Sequence, residues 1–528
     1  MLPQNTMPAF TGDRALRLIT PRTGWMLPAL FTLLLSACDI DLSSVSTGNA
    51  ATASVSPSGT LGIRDNLVIT FSKPMDPGSL SFDGGLGVLS DGGTWSSNNK
   101  VLTLAPDDAW GAWESGNQPL KLTVEDTVGN VTTVDTTLGI DFTVSDFQNA
   151  AVVIGQTDFT GSSSNQGGVP GADTLNFPYS DASFFDDILW LPDFDNNRVL
   201  GFDGIPTVNG ASASYVVGQG DFMTGSGGTT DSSIEGPQRL LAYNGHYYLL
   251  EYANNRILIF DSAPYAAPRA ASAVLGQADF TSSSSDCSAQ GLYAPEDMTI
   301  ADGKLLVADG ANNRILVWNS VPTATGTEPD LVLGQADFTH CTASDDNQDN
   351  VADAASSART LSGVSGVWTD GSRLVAADTE NSRVLIWNRF PTENFQPADI
   401  VLGQADFAHN IENDDNQDGV ADATPTARTL NHPYDGVWSN GRQLFVPDTN
   451  NHRLLVWNRF PTESFQPADR VLGQSDFVHA TADDDNQDNA SDMASARTFY
   501  FPVGGALLRD KLLITDGHNN RALVFEAN

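Results

Sequence analysis

Cysteine is nearly absent, with three in 528 residues. That is too few for a disulfide-stapled scaffold or a thiolate zinc module. Positive charge is scarce as well: 26 Lys and Arg stand against 65 Asp and Glu, a formal charge of −39. A surface this negative repels phosphate backbones and anionic headgroups, so nucleic acid is excluded as a partner. Long apolar runs are missing too. The stretch from Trp25 to Leu35 is too short to span a bilayer comfortably. Past residue 40 no long 3.6-residue apolar periodicity occurs, which argues against a helical protein. What is present instead is 47 Gly, 27 Pro and many short runs rich in Val, Thr, Phe and Trp. These are the marks of short strands joined by turns, and the chain is too long for one core. The expectation is an all-β protein of at least two domains.

Arg14, Arg17 and Arg22 precede the apolar run, which closes Leu35-Ser36-Ala37-Cys38. Basic, apolar and then small residues describe a secretory signal. The ending resembles a bacterial lipobox. That resemblance implies removal of residues 1–37 and lipidation of Cys38, giving an exported protein anchored in the cell envelope through lipid only. Asp39 retains some lipoproteins in the inner membrane, and the choice between membranes stays open. The mature chain keeps 23 basic against 64 acidic residues, a charge of −41. Residues 38–50, rich in Ser, Thr, Gly and Ala, read as a tether. Cys287 and Cys341 then remain, a candidate disulfide in an oxidising compartment.

Between residues 51 and 146, strand patterns alternate with turns at Leu67–Phe71, Lys100–Leu104, Leu120–Val124 and Asp141–Val144. The stretch Phe71-Ser-Lys-Pro-Met-Asp-Pro77 follows the first of them. This segment resembles the bacterial Ig-like sandwich of surface proteins, which implies a two-sheet spacer module.

Self-similarity organises the rest. An acid and an Arg five residues later recur as Asp193/Arg198, Glu251/Arg256, Asp309/Arg314, Asp378/Arg383, Asp448/Arg453 and Asp516/Arg521. A second element, Val-Leu-Gly-Gln-Ala-Asp-Phe in its cleanest form, ends at Phe159, Phe222, Phe280, Phe338, Phe407 and Phe477. Each unit holds one four-stranded sheet with long loops. In the fifth the strands read as Gly436–Ser439, Gln443–Pro447, Arg453–Trp457 and Arg470–Gly473. The second element first appears at Ala151-Val-Val-Ile-Gly155, ahead of any inner strand, and nothing equivalent follows Phe525. The early strand is therefore expected to complete the last blade and remove two open edges. The Asp-x-x-Asn-x-Arg signature resembles NHL-repeat propellers over residues 150–528. It implies a six-bladed β-propeller; in each blade the acid can cap turn amides and the Arg can lie across the blade and pair with it bidentately. Active sites are rarely sixfold, so no catalytic residue is assigned to these copies.

Function is sought where the copies differ. Three loops carry Asp-rich insertions: Asp345, Asn347, Asp349 and Asp353; Asp414, Asn416, Asp418 and Asp422; Asp484, Asn486, Asp488 and Asp492. These fall at positions 1, 3, 5 and 9 of a calcium loop, with Gly419, Asn350 or Asn489 at the turn and no bidentate Glu at position 12. Calcium is the one cofactor expected, the alternative being a solvated acidic loop. His340, His409 and His479 precede the insertions on separate blades, too far apart to share one zinc. Gly366-Val-Trp368 and Gly436-Val-Trp438 put apolar residues near the channel. The resulting expectation is a monomeric binding or scaffold protein for a protein or glycan partner. The alternative is a propeller lyase or hydrolase with a metal-assisted site at the central channel.

Overall fold

The computed structural model describes residues 50–87, 90–107, 111–265 and 269–528. Cys38 and the signal segment lie outside these. The described residues form strands and short 3-10 turns, with no α-helix among them.

The N-terminal part is two four-stranded sheets. One is ordered Ala53–Ser56, Leu67–Phe71, Val101–Leu104, Thr94–Ser96, and the other Thr60–Leu61, Val131–Ile140, Gly116–Glu125, Ser81–Gly85. Alternation along Leu67–Phe71 sends Leu67, Ile69 and Phe71 inward. There they share a buried cluster with Leu102 and Leu104 of their own sheet and Leu120, Leu122 and Val124 of the other. The strand expected at Asp141–Val144 does not form, because pairing stops at Ile140. Beyond it the Phe142 N–H donates to Gln443 Oε1 at 2.7 Å, and the Phe142 carbonyl accepts from Gln443 Nε2 at 2.9 Å. That side-chain amide, together with the Asn528 N–H donating to the Thr143 carbonyl at 2.9 Å, takes the place of a neighbouring strand.

Among the described residues from Val152 onward there are six antiparallel four-stranded sheets. The fifth consists of Trp438–Ser439, Leu444–Asp448, Arg453–Trp457 and Arg470–Leu472. Third strands such as Arg314–Trp318 are buried at every residue, since each sheet is covered on both faces by its neighbours. Six buried clusters lie between successive sheets. The last of them joins Leu513, Ala522 and Val524 of the sixth sheet to Leu189, Leu191 and Leu200 of the first. The sheets therefore close into a ring. The fold is a β-propeller.

Closure uses the early strand. Val152–Ile154 pairs antiparallel with Arg521–Glu526, with Ile154 opposite Ala522 and Val152 opposite Val524, and so supplies the sixth sheet's outer strand.

The N-terminal sheets are docked rather than held off as a spacer. Their core is continuous with Trp438, Phe445, Phe499 and Phe525 of the fifth and sixth propeller sheets. Arg442 and Arg459 both reach Asp141, the latter at 2.9 Å. Arg64 pairs with Asp510 at 2.6 Å and Arg509 with Asp107 at 2.8 Å.

Candidate functional site: the central channel and its two ends

The repeated acid and Arg are buried in all six sheets, each pair 2.5 to 2.8 Å apart. The pairing differs from the bidentate fork expected: in every copy the contact is single. Arg198, Arg256, Arg314, Arg383, Arg453 and Arg521 each give only Nε to their acid, respectively Asp193, Glu251, Asp309, Asp378, Asp448 and Asp516. The reason is competition from loop carbonyls. Nη1 of Arg198 donates to the Phe222 carbonyl, that of Arg256 to Phe280, and that of Arg383 to Phe407. Nη2 of Arg198 reaches Gly171 and Thr174, that of Arg256 reaches Thr230 and Ser233, and that of Arg383 reaches Ser357 and Thr360. Arg314 follows the same scheme with Phe338, Ser288 and Gly291. The other carboxylate oxygen is also taken, accepting the Tyr293 N–H in the case of Asp309. With two or three carbonyls to satisfy, the guanidinium serves the loops as well as the acid, and each of its nitrogens has a hydrogen-bond partner.

The residue before each Arg is left-handed, from Ser382 at φ 49° to Asn313 and His452 at 53°. Its side chain accepts an N–H from the next sheet, as Asn255 does from Ala294 and Ser382 from His432.

The channel is charged at its middle, while the expected apolar residues Trp368 and Trp438 lie toward its hairpin end. Arg239, Asp297, Gly366 and Gly504 lie opposite the residue preceding the repeat acid, and extending the register places Asp181 and Gly436 at the same position. Arg239 Nη1 donates to Asp181 Oδ2 at 2.6 Å and Asp297 Oδ1 at 2.7 Å. Backbone N–H groups of Gly505, Met298 and Val367 complete the two carboxylates. On the other half of the ring the glycines let backbones meet. A Cβ on Gly504 would stand 2.5 Å from the Ser180 carbonyl carbon.

One residue earlier, Glu296 accepts from the Tyr434 hydroxyl and from Gln238 Nε2, both at 3.3 Å. Burial pushes its carboxyl up to about 8, against the pull of the Tyr434 hydrogen bond. Asp435 is fully buried, and neither carboxyl oxygen has a hydrogen-bond partner among the described residues. Burial first, then the negative charge of Glu296, Asp297 and Asp181, drives it well above the ordinary carboxylate range. The repeat signature does not single these residues out, since their positions vary among Asp, Arg and Gly, or among Ser, Gln, Glu, Asp and Val, from copy to copy. Aligning the inner strands on the repeat acid would have shown three charges facing three glycines.

The two ends of the channel differ. At the hairpin end lies a cavity of about 510 Å³, walled by Arg239, Trp368 and Trp438 among others and bounded by Glu114, Ser115 and Gln118 of the N-terminal sheets. At the opposite end, where the Asp-x-x-Asn turns lie, aromatic rings gather. Phe501 stacks on His518 at 4.4 Å, His518 on Phe177 at 5.5 Å and Phe177 on Tyr179 at 4.8 Å. Tyr179 meets Tyr434 at 5.3 Å. Tyr293 and Tyr500 remain 47% and 41% exposed.

The Asp-rich loops rim this aromatic end. Asp345, Asp414 and Asp484 are buried, and each accepts the backbone N–H groups four and five residues on. Asp353 and Asp422 accept from the Asp346 and Asp415 amides, and Asp492 from Asn486. Asp349, Asp418 and Asp488 each cap the amide two residues on. Asn347 and Asn416 lean toward Asp353 and Asp422 at 3.4 Å. Asn350, Gly419 and Asn489 are left-handed, as a loop turn requires. Among the described residues no three His, Cys, Asp or Glu side chains group as a metal site. A cation would share carboxylates that already cap turns, using their remaining lone pairs. His340, His409 and His479 each pair with the acid three residues before, at 2.8 to 2.9 Å. Cys287 and Cys341 form a disulfide, Cα–Cα 6.4 Å.

No family model matches the chain, and no curated protein matches it. Solved structures similar to it include virginiamycin B lyase from Staphylococcus aureus, at 10% identity over 84% of this chain and 99% of that one, TM-score 0.32. BamB from Moraxella catarrhalis is 11% identical over 78% and 82%, TM-score 0.28. The PQQ-bound aldose sugar dehydrogenase from Streptomyces coelicolor is 13% identical over 68% and 96%, TM-score 0.34. Similarity this remote assigns neither ligand nor reaction.

Proposed function

We propose that this chain is a cell-envelope lipoprotein whose six-bladed, NHL-like propeller is a binding or scaffold module for a protein or glycan partner. In this reading the docked N-terminal sheets are an Ig-like sandwich, the lipid is on Cys38, and calcium in the Asp-rich loops stiffens the rim. The asymmetry of the channel supports it. The hairpin end carries the sandwich, the middle is filled by Arg239 and its acids, and the turn end is open, aromatic and rimmed by the longest loops. Partner surfaces favour such aromatic positions. The alternative, a lyase or hydrolase, has one observation in its favour: Glu296, held protonated beside the Tyr434 hydroxyl, is a proton donor at the channel centre. Its 7% exposure argues for the binding reading.

The test is to probe envelope extracts and glycan arrays with the full chain. Binding should fall when Tyr293 and Tyr500 are both replaced by Ala and persist in Leu241→Ala, on the sandwich side. The reverse pattern would move the partner to the cavity. Turnover of a bound glycan that is lost in Glu296→Gln would make the protein an enzyme.

A further inference from the structure

We propose that a groove at the junction of the sixth and first propeller sheets, on the turn face, is a carbohydrate subsite that takes a neutral hexose unit of a glycan. This rests on the binding reading above and names both ligand class and place. The groove has a volume of about 590 Å³ and is lined by Asn176, Phe177, Asp195, Tyr500 and His518, with Ser164 and Asn520 at its edge.

Two properties of the lining point to sugar. The first is a pre-set aromatic surface. His518 is held between Phe501 and Phe177, and Tyr500 stands edge-on to both His518 and His452, at 4.6 and 5.4 Å. The backbone N–H of Tyr500 is fixed on Asp516 Oδ1 at 2.7 Å, yet its ring is 41% exposed. A ring packed edge-on against two others loses little rotamer freedom on binding, and its exposed part suits the C–H face of a pyranose.

The second property is free polar groups in the same lining. The Asp195 carboxylate, the Asn176 side-chain amide and the Tyr500 hydroxyl make no hydrogen bond or ion pair among the described residues. None takes part in the acid–Arg pairing or the inter-sheet N–H contacts that the six copies share. A carboxylate beside an amide presents acceptors and donors in the pattern that vicinal hydroxyls satisfy. The same carboxylate, on a chain of charge −39, opposes phosphate, sulfate and uronate ligands. A wide, shallow opening fits one unit of a longer glycan better than an enclosed small molecule.

The groove is also particular to this junction. His518 stands where the other copies have Asp195, Ala253, Ala311, Glu380 and Asn450, and Phe177 stands where the second and fourth have Gly236 and Gly363. At the junction of the fourth and fifth sheets the same two positions are Glu380 and His432, whose side chains face each other at 3.7 Å. That junction offers no ring stack.

The experiment uses the full chain and immobilised neutral oligosaccharides (gluco-, manno- and galacto-configured), with tetramethylammonium chloride as a separate probe. At least one oligosaccharide series should bind. Asp195→Ala and Tyr500→Ala should each weaken it tenfold or more, Tyr500→Trp should retain it, and Leu241→Ala, at the opposite end of the channel, should leave it unchanged. Unaltered melting curves for the variants will show that the fold is kept. No oligosaccharide binding, or binding indifferent to Asp195 and Tyr500, overturns the subsite. If binding then tracks Tyr293, the broader binding reading survives without it. Asp195-dependent binding of tetramethylammonium alone would make the groove a cation–π site and overturn the sugar assignment.

Discussion

Arg239 holds Asp181 and Asp297 through one nitrogen, Nη1, at 2.6 and 2.7 Å, and so ties the first and third propeller sheets across the second. Removing the cation leaves two buried carboxylates facing each other, a loss of about 3–5 kcal/mol. Arg239→Met should lower the denaturation midpoint accordingly. Adding Asp181→Asn and Asp297→Asn should restore much of it. Equal midpoints for the parent and Arg239→Met would show the pairing to be energetically idle.

Glu296 makes stability depend on pH. Its ordinary value of 4.5 rises to about 8 in the folded protein, chiefly by burial. The folded state therefore holds a proton that the unfolded state has released. The contribution is complete below about pH 4.5 and is lost as pH climbs through about 8. Glu296→Gln should match the parent near pH 4.5 and surpass it near pH 9, as read by thermal melting at each pH. A constant difference across that range would contradict the assignment.

The Cys287–Cys341 disulfide joins loops that enter consecutive sheets, with a sequence separation of 54. Restricting the unfolded chain over that span is worth about 2–4 kcal/mol. A Cys287→Ser, Cys341→Ser double variant should melt lower by that margin, and added reductant should move the parent and not the variant.

Asp141 receives both Arg442 and Arg459 from the propeller. Asp141→Ala leaves two cations without their acceptor at the sandwich boundary. It should raise proteolytic cleavage near residues 141–150 while leaving the ring's melting nearly unchanged. Deleting residues 51–146 should do more, because it uncovers Trp438, Phe445 and Phe525. Increased dye binding and aggregation are the readouts.

Calcium at the Asp-rich loops is testable directly. Without a bidentate Glu the affinity should fall in the range of about 10⁻⁴–10⁻³ M. Millimolar calcium should raise the melting temperature by mass action, and magnesium should do less. Asp414→Ala with Asp418→Ala should remove part of the gain. No heat of binding, together with a melting curve indifferent to chelator, would leave the loops as turn-capping acids only.

The ring was legible because its physics is repetitive. Each copy needs an acid, an Arg and a left-handed residue at fixed offsets, so six copies repeat the same demand. How the acid and Arg touch was less legible, because the loop carbonyls that claim the Nη atoms of Arg198, Arg256 and Arg383 lie more than twenty residues away. Register followed from the early strand at Ala151–Gly155, which had no partner ahead of it. The channel was illegible for the opposite reason. Asp181, Arg239 and Asp297 share a strand position with Gly366, Gly436 and Gly504, and their meaning arises only when sheets distant in sequence converge. Asp141–Val144 misled because its alternation is a strand pattern, while its partners are the side chain of Gln443 and the single residue Asn528 rather than a strand.

The pairing of Val152–Ile154 with Arg521–Glu526 has a consequence for biosynthesis. The first strand of the propeller to be made waits for the last. Until Arg521–Glu526 arrives, Val152–Ile154 has no partner and the last sheet presents a raw edge at Lys511–Asp516, and a chain broken off before that point keeps both unpaired. Such a fragment is fit for proteases or aggregation but not for a stable ring. Ring closure thereby makes the pairing of the first strand conditional on completion of the chain's last one.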